Sequence, residues 1–145
     1  MVILRRELNI DSKSKLSDNL NNFTSFHFDD MTRKVDENGD GFLDMPLVRN
    51  VNFLTKWKYN NQKGIMSQFS AKYLFEQRMS GEKDYDYDRT YADMSSWGQK
   101  IHTNRFELYG RTGYVIPTAE YKSVGIQYSY VYNQQEGYYG LRRYN

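Results

Sequence analysis

The sequence alternates between apolar and polar residues in one segment after another, and this alternation constrains the fold more than any other feature. In the segment 48–59 the odd-numbered positions from 51 onward are mostly apolar, and they are Val51, Phe53, Thr55, Trp57 and Tyr59. The even-numbered positions from 50 to 58 are Asn and Lys, with Leu54 as the exception. Because successive side chains of a β-strand point to opposite faces, this pattern predicts a strand with one apolar face and one wet face.

The same period of two recurs along most of the chain. Segments 65–77, 105–116 and 123–133 alternate in this way, and segment 19–32 does so less regularly because Phe23 breaks the parity. Aromatic residues make up 17% of the chain, and aromatic side chains pack well on a pleated surface. We therefore predict an all-β fold, an antiparallel meander of about five strands.

The first residues carry no such pattern. Residues 1–18 are polar and rich in Ser, Lys and Asp, and we predict no regular structure for them. Residues 19–145 then form a single β domain. Its strands should follow one another in sequence order as a curved open sheet whose first and last strands are unpaired edges.

The connections between the predicted strands alternate in length. Those at 60–64 and 117–122 are short, whereas the stretch 35–46 is longer and 78–104 is very long. Short turns at one end and long loops at the other are typical of transmembrane β-barrels. Strands of about 11–13 residues are close to the roughly 9–11 residues that a tilted strand needs to cross the hydrocarbon. The predicted fold is thus an open segment of a transmembrane β-barrel, with its charged faces toward a water-filled lumen.

Composition and charge exclude several function classes. The net charge of +2 is small and the basic residues are mixed with acidic ones without a basic stripe, so we predict no nucleic-acid partner. The absence of cysteine excludes disulfides and thiolate metal sites. His27 and His102 have no carboxylate at a ligand spacing, so we predict no enzyme activity and no cofactor. The first residues lack the pattern of a signal peptide, because their apolar run is short and charge follows it.

The acidic stretch 35–46 has two interpretations. The residues at ligand positions one, three, five and nine of an EF-hand loop are Asp36, Asn38, Asp40 and Asp44. Position twelve, which needs a bidentate Glu, is Leu47. The alternative is a polar turn in which Asn and Gly adopt left-handed conformations and Pro46 ends the turn. We favour the turn and keep the four residues as calcium candidates.

The second polar stretch also has two interpretations. The run Asp84 to Arg89 is typical of a solvated loop. In a barrel whose long loops face outward, however, aromatic side chains of such a loop can stack on a sugar or on an aromatic ligand. Tyr85, Tyr87 and Trp97 are the candidate ligand contacts.

The stretch 36–47, together with 52–59 after it, resembles the first part of the barrel in TonB-dependent outer-membrane receptors of the Bacteroidota type. Segments 68–73 and 105–114 resemble the strands that follow in that family, so the resemblance runs from residue 19 to 145. It implies a barrel of about 22 strands around a plug domain. It also implies a place in outer-membrane lipid, energy from the TonB complex, and import of a siderophore, cobalamin or glycan.

The chain departs from that family pattern because it contains no TonB box, no plug and too few strands to close a barrel. We therefore expect a receptor fragment that is inactive alone. The alternative is a small soluble β-sheet module that binds carbohydrate or calcium through the loop 36–44.

Overall fold

A computed structural model describes residues 5–86, 96–116, 122–140 and 142–144, the last of these by backbone alone. The strands are β1 (Arg6–Ser17), β2 (Leu20–Met31), β3 (Leu47–Asn60), β4 (Ile65–Gly81), β5 (Gly98–Val115), β6 (Ser123–Tyr139) and β7 (Arg142–Tyr144). They pair in sequence order in one sheet, each antiparallel to the next. This confirms the predicted all-β meander.

The sheet is open. β1 pairs only with β2, and β6 pairs with β5 and, over its last residues, with the short β7. No pairing joins the first strand to the last within the described part of the chain. Two strand edges are therefore left with backbone groups facing outward, as expected for an open segment.

No helix among the described residues is long and apolar enough to cross a membrane.

The predicted strands are present, but several are longer than the sequence pattern indicated. β4 continues to Gly81 and β5 begins at Gly98, so the connection between them spans 82–97 rather than 78–104. β6 likewise continues to Tyr139. The added residues are mostly polar, so the alternation of apolar residues does not extend into them. Their backbones nevertheless continue the pairing between β4 and β5 from Glu76↔Thr103 to Gly81↔Gly98.

The structure corrects the prediction for the N-terminal segment, because Arg6–Ser17 forms β1. Its apolar parity includes Leu8 and Ile10 but is interrupted by Ser12 and Ser14, so the sequence pattern did not reveal the strand. Pairing with β2 decides the conformation, since Leu8 lies opposite Phe28 and Ile10 lies opposite Phe26.

The connections at one end of the sheet are short and comprise 18–19, 61–64 and 116–122. Those at the other end include the long loops 32–46 and 82–97. The predicted turn at 117–122 lies, over 117–121, outside the described residues. One connection breaks the alternation, because β6 and β7 are joined at the long-loop end by residues 140–141 alone. We refer to the two ends as the short-turn end and the long-loop end.

The buried apolar side chains of the described residues gather at the long-loop end. They are Met31, Val35, Leu47 and Tyr85. Elsewhere the large apolar side chains of the sheet are partly or largely exposed. A single sheet ordinarily buries its apolar face against a second layer, and the described part of this chain provides no such layer.

Candidate functional site

The acidic loop uses its carboxylates to hold its own backbone. Asp36 Oδ1 accepts the Gly39 N–H at 2.8 Å, and Asp40 Oδ1 accepts the Phe42 N–H at 2.8 Å. Asp44 Oδ2 accepts the backbone N–H of Glu37 at 2.7 Å, and the Asn38 side chain donates to Asp40 Oδ2 at 2.9 Å. The same loop contains two glycines with positive φ, Gly39 at 71° and Gly41 at 86°. This is the hydrogen bonding of the polar turn that we favoured.

The four calcium candidates are therefore close in the loop, but they point at backbone N–H groups. Among the described residues, no group of three or more His, Cys, Asp or Glu side chains is arranged to hold a metal ion. Asp36, Asn38, Asp40 and Asp44 stay calcium candidates to be tested in solution, and the polar turn stays the favoured interpretation.

The two long loops pack against each other. Phe42 forms an isolated antiparallel bridge with Glu82, and the N–H of Leu43 donates to the Gly81 carbonyl at 2.9 Å. The Asp36 carboxylate, only 6% exposed, lies 3.9 Å from Lys83 Nζ. The acidic loop and residues 81–85 thus form a folded unit at the long-loop end of the sheet, which we call the cap.

Tyr85 lies inside this cap, which differs from its expected role as a ligand contact. Its side chain is 3% exposed and its hydroxyl donates to the Gly140 carbonyl at 3.2 Å. Its ring lies so close to Gly98 that a Cβ there would be 2.5 Å from ring carbons. Burial on all sides leaves no free ring face for stacking. Trp97 is 49% exposed, so one of the three candidates is accessible, and Tyr87 lies outside the described residues.

Strand register assigns every side chain to one face of the sheet, because directly opposed residues of antiparallel strands share a face. The row through the middle of the sheet contains Ile10, Phe26, Phe53, Tyr73, Phe106 and Tyr132. Five of these six are aromatic and they extend across β1 to β6. We call this side of the sheet the aromatic face. The side chains of Phe53 and Tyr132 are 40% and 51% exposed.

The aromatic face ends abruptly at the long-loop end. The next row but one on that face contains Arg6, Asp30, Arg49, Gln77, His102 and Glu136. Arg49 Nε donates to Asp30 Oδ1 at 3.1 Å within this row. At the short-turn end the apolar rows continue to Ile65, opposite Tyr114. The aromatic face is thus a band with a charged border on one side.

The opposite side of the sheet, the polar face, carries paired charges toward the long-loop end. Arg5 makes two hydrogen bonds of 2.8 Å to the Asp29 carboxylate, which raise the pKa of the Arg5 guanidinium above its ordinary value. Arg78 and Glu76 form a second pair at 2.9 Å. Asp29 and Glu76 lie in one row with Asn50 between them, and the side chains of both arginines are more than half exposed, so the face suits water rather than a packed core.

The centre of the polar face carries a third charge cluster. Arg105 Nε lies 2.6 Å from Glu107 Oε1, close enough for an ion pair although it is not aligned as a hydrogen bond. Lys72 Nζ lies 4.0 Å from the same Glu107 oxygen. Both basic groups therefore share one carboxylate, so the cluster of three side chains has a net charge of +1.

The two histidines have hydrogen-bond partners on their own strands or their neighbours. His27 Nδ1 lies 2.6 Å from Asn9 Oδ1, and His102 Nε2 lies 2.7 Å from Asn104 Nδ2. His102 also meets Phe75 edge to face, with ring centroids 5.1 Å apart. Neither histidine belongs to a metal-binding group among the described residues.

Reasoning from the sequence missed a group of basic residues at the short-turn end of the polar face. Lys13, Lys15, Lys56, Lys58 and Arg111 come from β1, β3 and β5. They comprise two close pairs and one single residue that are far from each other in the chain, so they form no stripe in the sequence. Only the register between strands brings them together, so their signal could have been found by aligning predicted strands in pairs.

Comparison of the chain with protein-family models, with curated proteins and with solved structures found no match.

Proposed function

We propose that this chain forms part of the wall of a transmembrane β-barrel, with the aromatic face toward lipid and the polar face toward an aqueous lumen. The single observation that supports this most is the row through Phe53, which places apolar side chains in register across β1 to β6, all of them exposed except the half-buried Phe26. Continuous apolar surface of this kind is rarely left in contact with water.

The height of the aromatic band supports the proposal. On β4 the band runs from Phe75 to Ile65. At about 3.4 Å per residue this is roughly 34 Å of strand. A strand tilted by about 45° would then cover roughly 24 Å of depth, which matches the apolar band of such barrels, about 25 Å. The charged row that follows lies where the band meets the headgroups.

Polar side chains on the aromatic face make hydrogen bonds with each other. Asn22 Nδ2 donates to Thr55 Oγ1 at 3.1 Å, and the Thr24 hydroxyl donates to Asn22 Oδ1 at 3.0 Å. A polar group in hydrocarbon is costly unless it is hydrogen-bonded. This mutual pairing lowers the cost of placing the three side chains against lipid.

Charged side chains on the other face support an aqueous lumen. The pairs Arg5–Asp29 and Arg78–Glu76 are partly exposed on a face that carries no covering layer in the described chain. Transmembrane barrels alternate lipid-facing apolar residues with lumen-facing polar residues along each strand. The parent would then be a receptor of the TonB-dependent type, importing a siderophore, cobalamin or glycan, as the sequence resemblance implies.

The test uses the two residues Phe53 and Asn52, which lie at the same depth on opposite faces. Trp57 and Trp97 are the two tryptophans of the chain. In a Trp57→Phe/Trp97→Phe background, a single tryptophan is introduced as Phe53→Trp or as Asn52→Trp. The chain is folded into vesicles of lipids brominated along the acyl chain, and tryptophan fluorescence is recorded.

Bromine quenches tryptophan on contact, so strong quenching is expected for Phe53→Trp and weak quenching for Asn52→Trp. Equal quenching of the two variants would contradict the proposal, because neither face of a sheet that lies outside the bilayer contacts lipid. Lipids without bromine provide the reference intensity for each variant.

A further inference from the structure

The short-turn end of the polar face carries a concentration of positive charge. Its members are Lys13, Lys15, Lys56, Lys58 and Arg111, and we call them the basic patch. One row of the sheet runs from Lys13 through Phe23 to Lys56, and the adjacent row runs from Lys15 to Lys58 and on to Arg111. Four of the five are exposed and Lys56 is half-buried.

The basic patch differs from the rest of the polar face because its charges are scarcely neutralised. Lys15 pairs with Asp18 at 2.7 Å, and both groups are exposed. Arg111 donates to Gln68 at 3.3 Å, which is a neutral partner. No ion pair involves Lys13, Lys56 or Lys58 among the described residues. At the long-loop end and at the centre of the face, in contrast, Arg5, Arg78 and Arg105 each have a carboxylate partner.

Unneutralised cations on one face of a sheet repel one another and create a positive potential over the surface. An anion that binds there relieves this repulsion. Four members of the patch, Lys13, Lys15, Lys56 and Lys58, line an open concavity of about 890 Å³, and the one carboxylate in its wall is Asp11. The surface is therefore both charged and recessed, which favours a ligand over a simple layer of counterions.

The spacing of the cations defines the ligand. Lys13 and Lys56 are separated by two strand spacings, about 9.6 Å, and Lys56 and Lys58 by about 6.8 Å along one strand. A single phosphate or carboxylate cannot contact cations at all of these positions. The ligand needs several negative charges about 7–10 Å apart, and carboxylates at alternate positions of an extended polypeptide have a spacing of about 6.8 Å.

We propose that the basic patch binds an acidic segment of polypeptide. The neutral side chains of the same two rows include Asn21, Gln68 and Gln127, whose amides can donate to carboxylates and accept from backbone N–H groups. Single-stranded nucleic acid usually requires several aromatic platforms beside the cations, and Phe23 and Tyr109 are the aromatic side chains in these rows. A polypeptide therefore suits the patch better than a nucleic acid.

This inference does not depend on lipid contact, because the patch lies on the face opposite the aromatic face. A failure of the fluorescence test with Phe53→Trp would leave it unaffected, and its own failure would leave the lipid contact unaffected.

The test measures binding of a fluorescein-labelled peptide of alternating Glu and Ser to the full chain in non-ionic detergent. Fluorescence anisotropy is recorded at low and at physiological ionic strength. We expect binding at low salt that weakens as salt is added, because exposed charges are screened. The double variant Lys56→Gln/Lys58→Gln should bind the peptide about tenfold more weakly, since exposed ion pairs each contribute modestly.

The matched control is Lys72→Gln/Arg78→Gln, which removes two positive charges from the same face where each has a carboxylate partner. Its affinity for the peptide should stay close to that of the natural chain. Three results would overturn the proposal: no binding at low salt, equal weakening by both double variants, or tighter binding of a labelled oligonucleotide. Displacement of the peptide by inorganic phosphate at an equal concentration would also overturn it, because a single-anion site would then explain the binding.

Discussion

At the scale of single residues, Tyr85 is buried in the cap although the sequence around it is typical of an exposed loop. Tyr85 stands in an acidic run, yet its ring is buried against Gly98 and its hydroxyl donates to Gly140. Trp97 stands after the same loop and is half-exposed. Nothing local distinguishes these two aromatic residues. The difference arises because Gly98 has no Cβ and so leaves room for the Tyr85 ring.

Gly98→Ala tests this packing. A Cβ at Gly98 would lie 2.5 Å from the Tyr85 ring, so the ring must move and lose its burial. We expect the cap to be destabilised by about 2 kcal/mol, which is typical of overpacking. Trypsin cleavage after Lys83 under native conditions should then accelerate at least about tenfold, because cleavage requires local opening.

Gly113→Ala is the control, since the nearest atom to a Cβ there is 3.8 Å away. Its cleavage rate should match that of the natural chain. If Gly98→Ala were cleaved no faster than Gly113→Ala, the Tyr85 packing would not hold the cap together.

At the scale of elements, the acidic loop acts as a turn closed by its own side chains. Asp40 illustrates this, because it accepts the Phe42 N–H at 2.8 Å and the Asn38 amide at 2.9 Å. Each Asp40 oxygen thus accepts one hydrogen bond from within the loop, so the carboxylate already has partners without a cation. Such turns are stabilised by Asp and Asn side chains that hydrogen-bond to nearby backbone groups.

Calorimetric titration with calcium tests this interpretation. We expect no binding at millimolar calcium, and we expect a chelator to leave stability unchanged. Asp40→Ala should cost about 1 kcal/mol, the usual net value of a lost hydrogen bond. Glu37→Ala is the control, because the Glu37 side chain is exposed and accepts no hydrogen bond within the described ranges. Millimolar or tighter binding that Asp40→Ala abolishes would identify the loop as a calcium site instead.

The strand bounds show how much of each strand the alternation of apolar residues predicts. Apolar alternation located β3 and the inner part of β4 well, because burial of one parity marks those residues. It missed residues 78–81 of β4 and 98–104 of β5, where for example Ser80 lies opposite Gln99. Backbone hydrogen bonds continue there without an apolar face, so no sequence period records them.

At the scale of the whole molecule, the open sheet leaves β1 and most of β6 paired on one side only. Every residue of β1 is exposed. Exposed edges are sites of association with other strands, whereas β4 is paired along its length on both sides. Local stability should therefore fall from the centre of the sheet toward its edges.

Amide hydrogen exchange of the full chain in detergent, followed by mass spectrometry, tests this gradient. Peptides from β1 should exchange at least about tenfold faster than those from β4 and β5, because opening an edge strand breaks one ladder instead of two. Peptides from β3 serve as an internal reference, since that strand is also paired on both sides. Equal protection of β1 and β4 would show that another strand covers the β1 edge.

The sequence by itself determined that the chain is a β meander with one aromatic and one polar face. This was possible because the direction of a strand side chain is a local property with a period of two residues. It also indicated a turn at the acidic loop, since the hydrogen bonds of such a turn join neighbouring residues.

Only the tertiary structure decided which side chains meet across strands. Lys13 and Lys56, which are 43 residues apart in the sequence, lie in one row of the basic patch with Phe23 between them. Register between strands places them together, and it depends on the summed pairing of whole strands rather than on any local pattern. A shift of one residue would have moved these side chains to the other face.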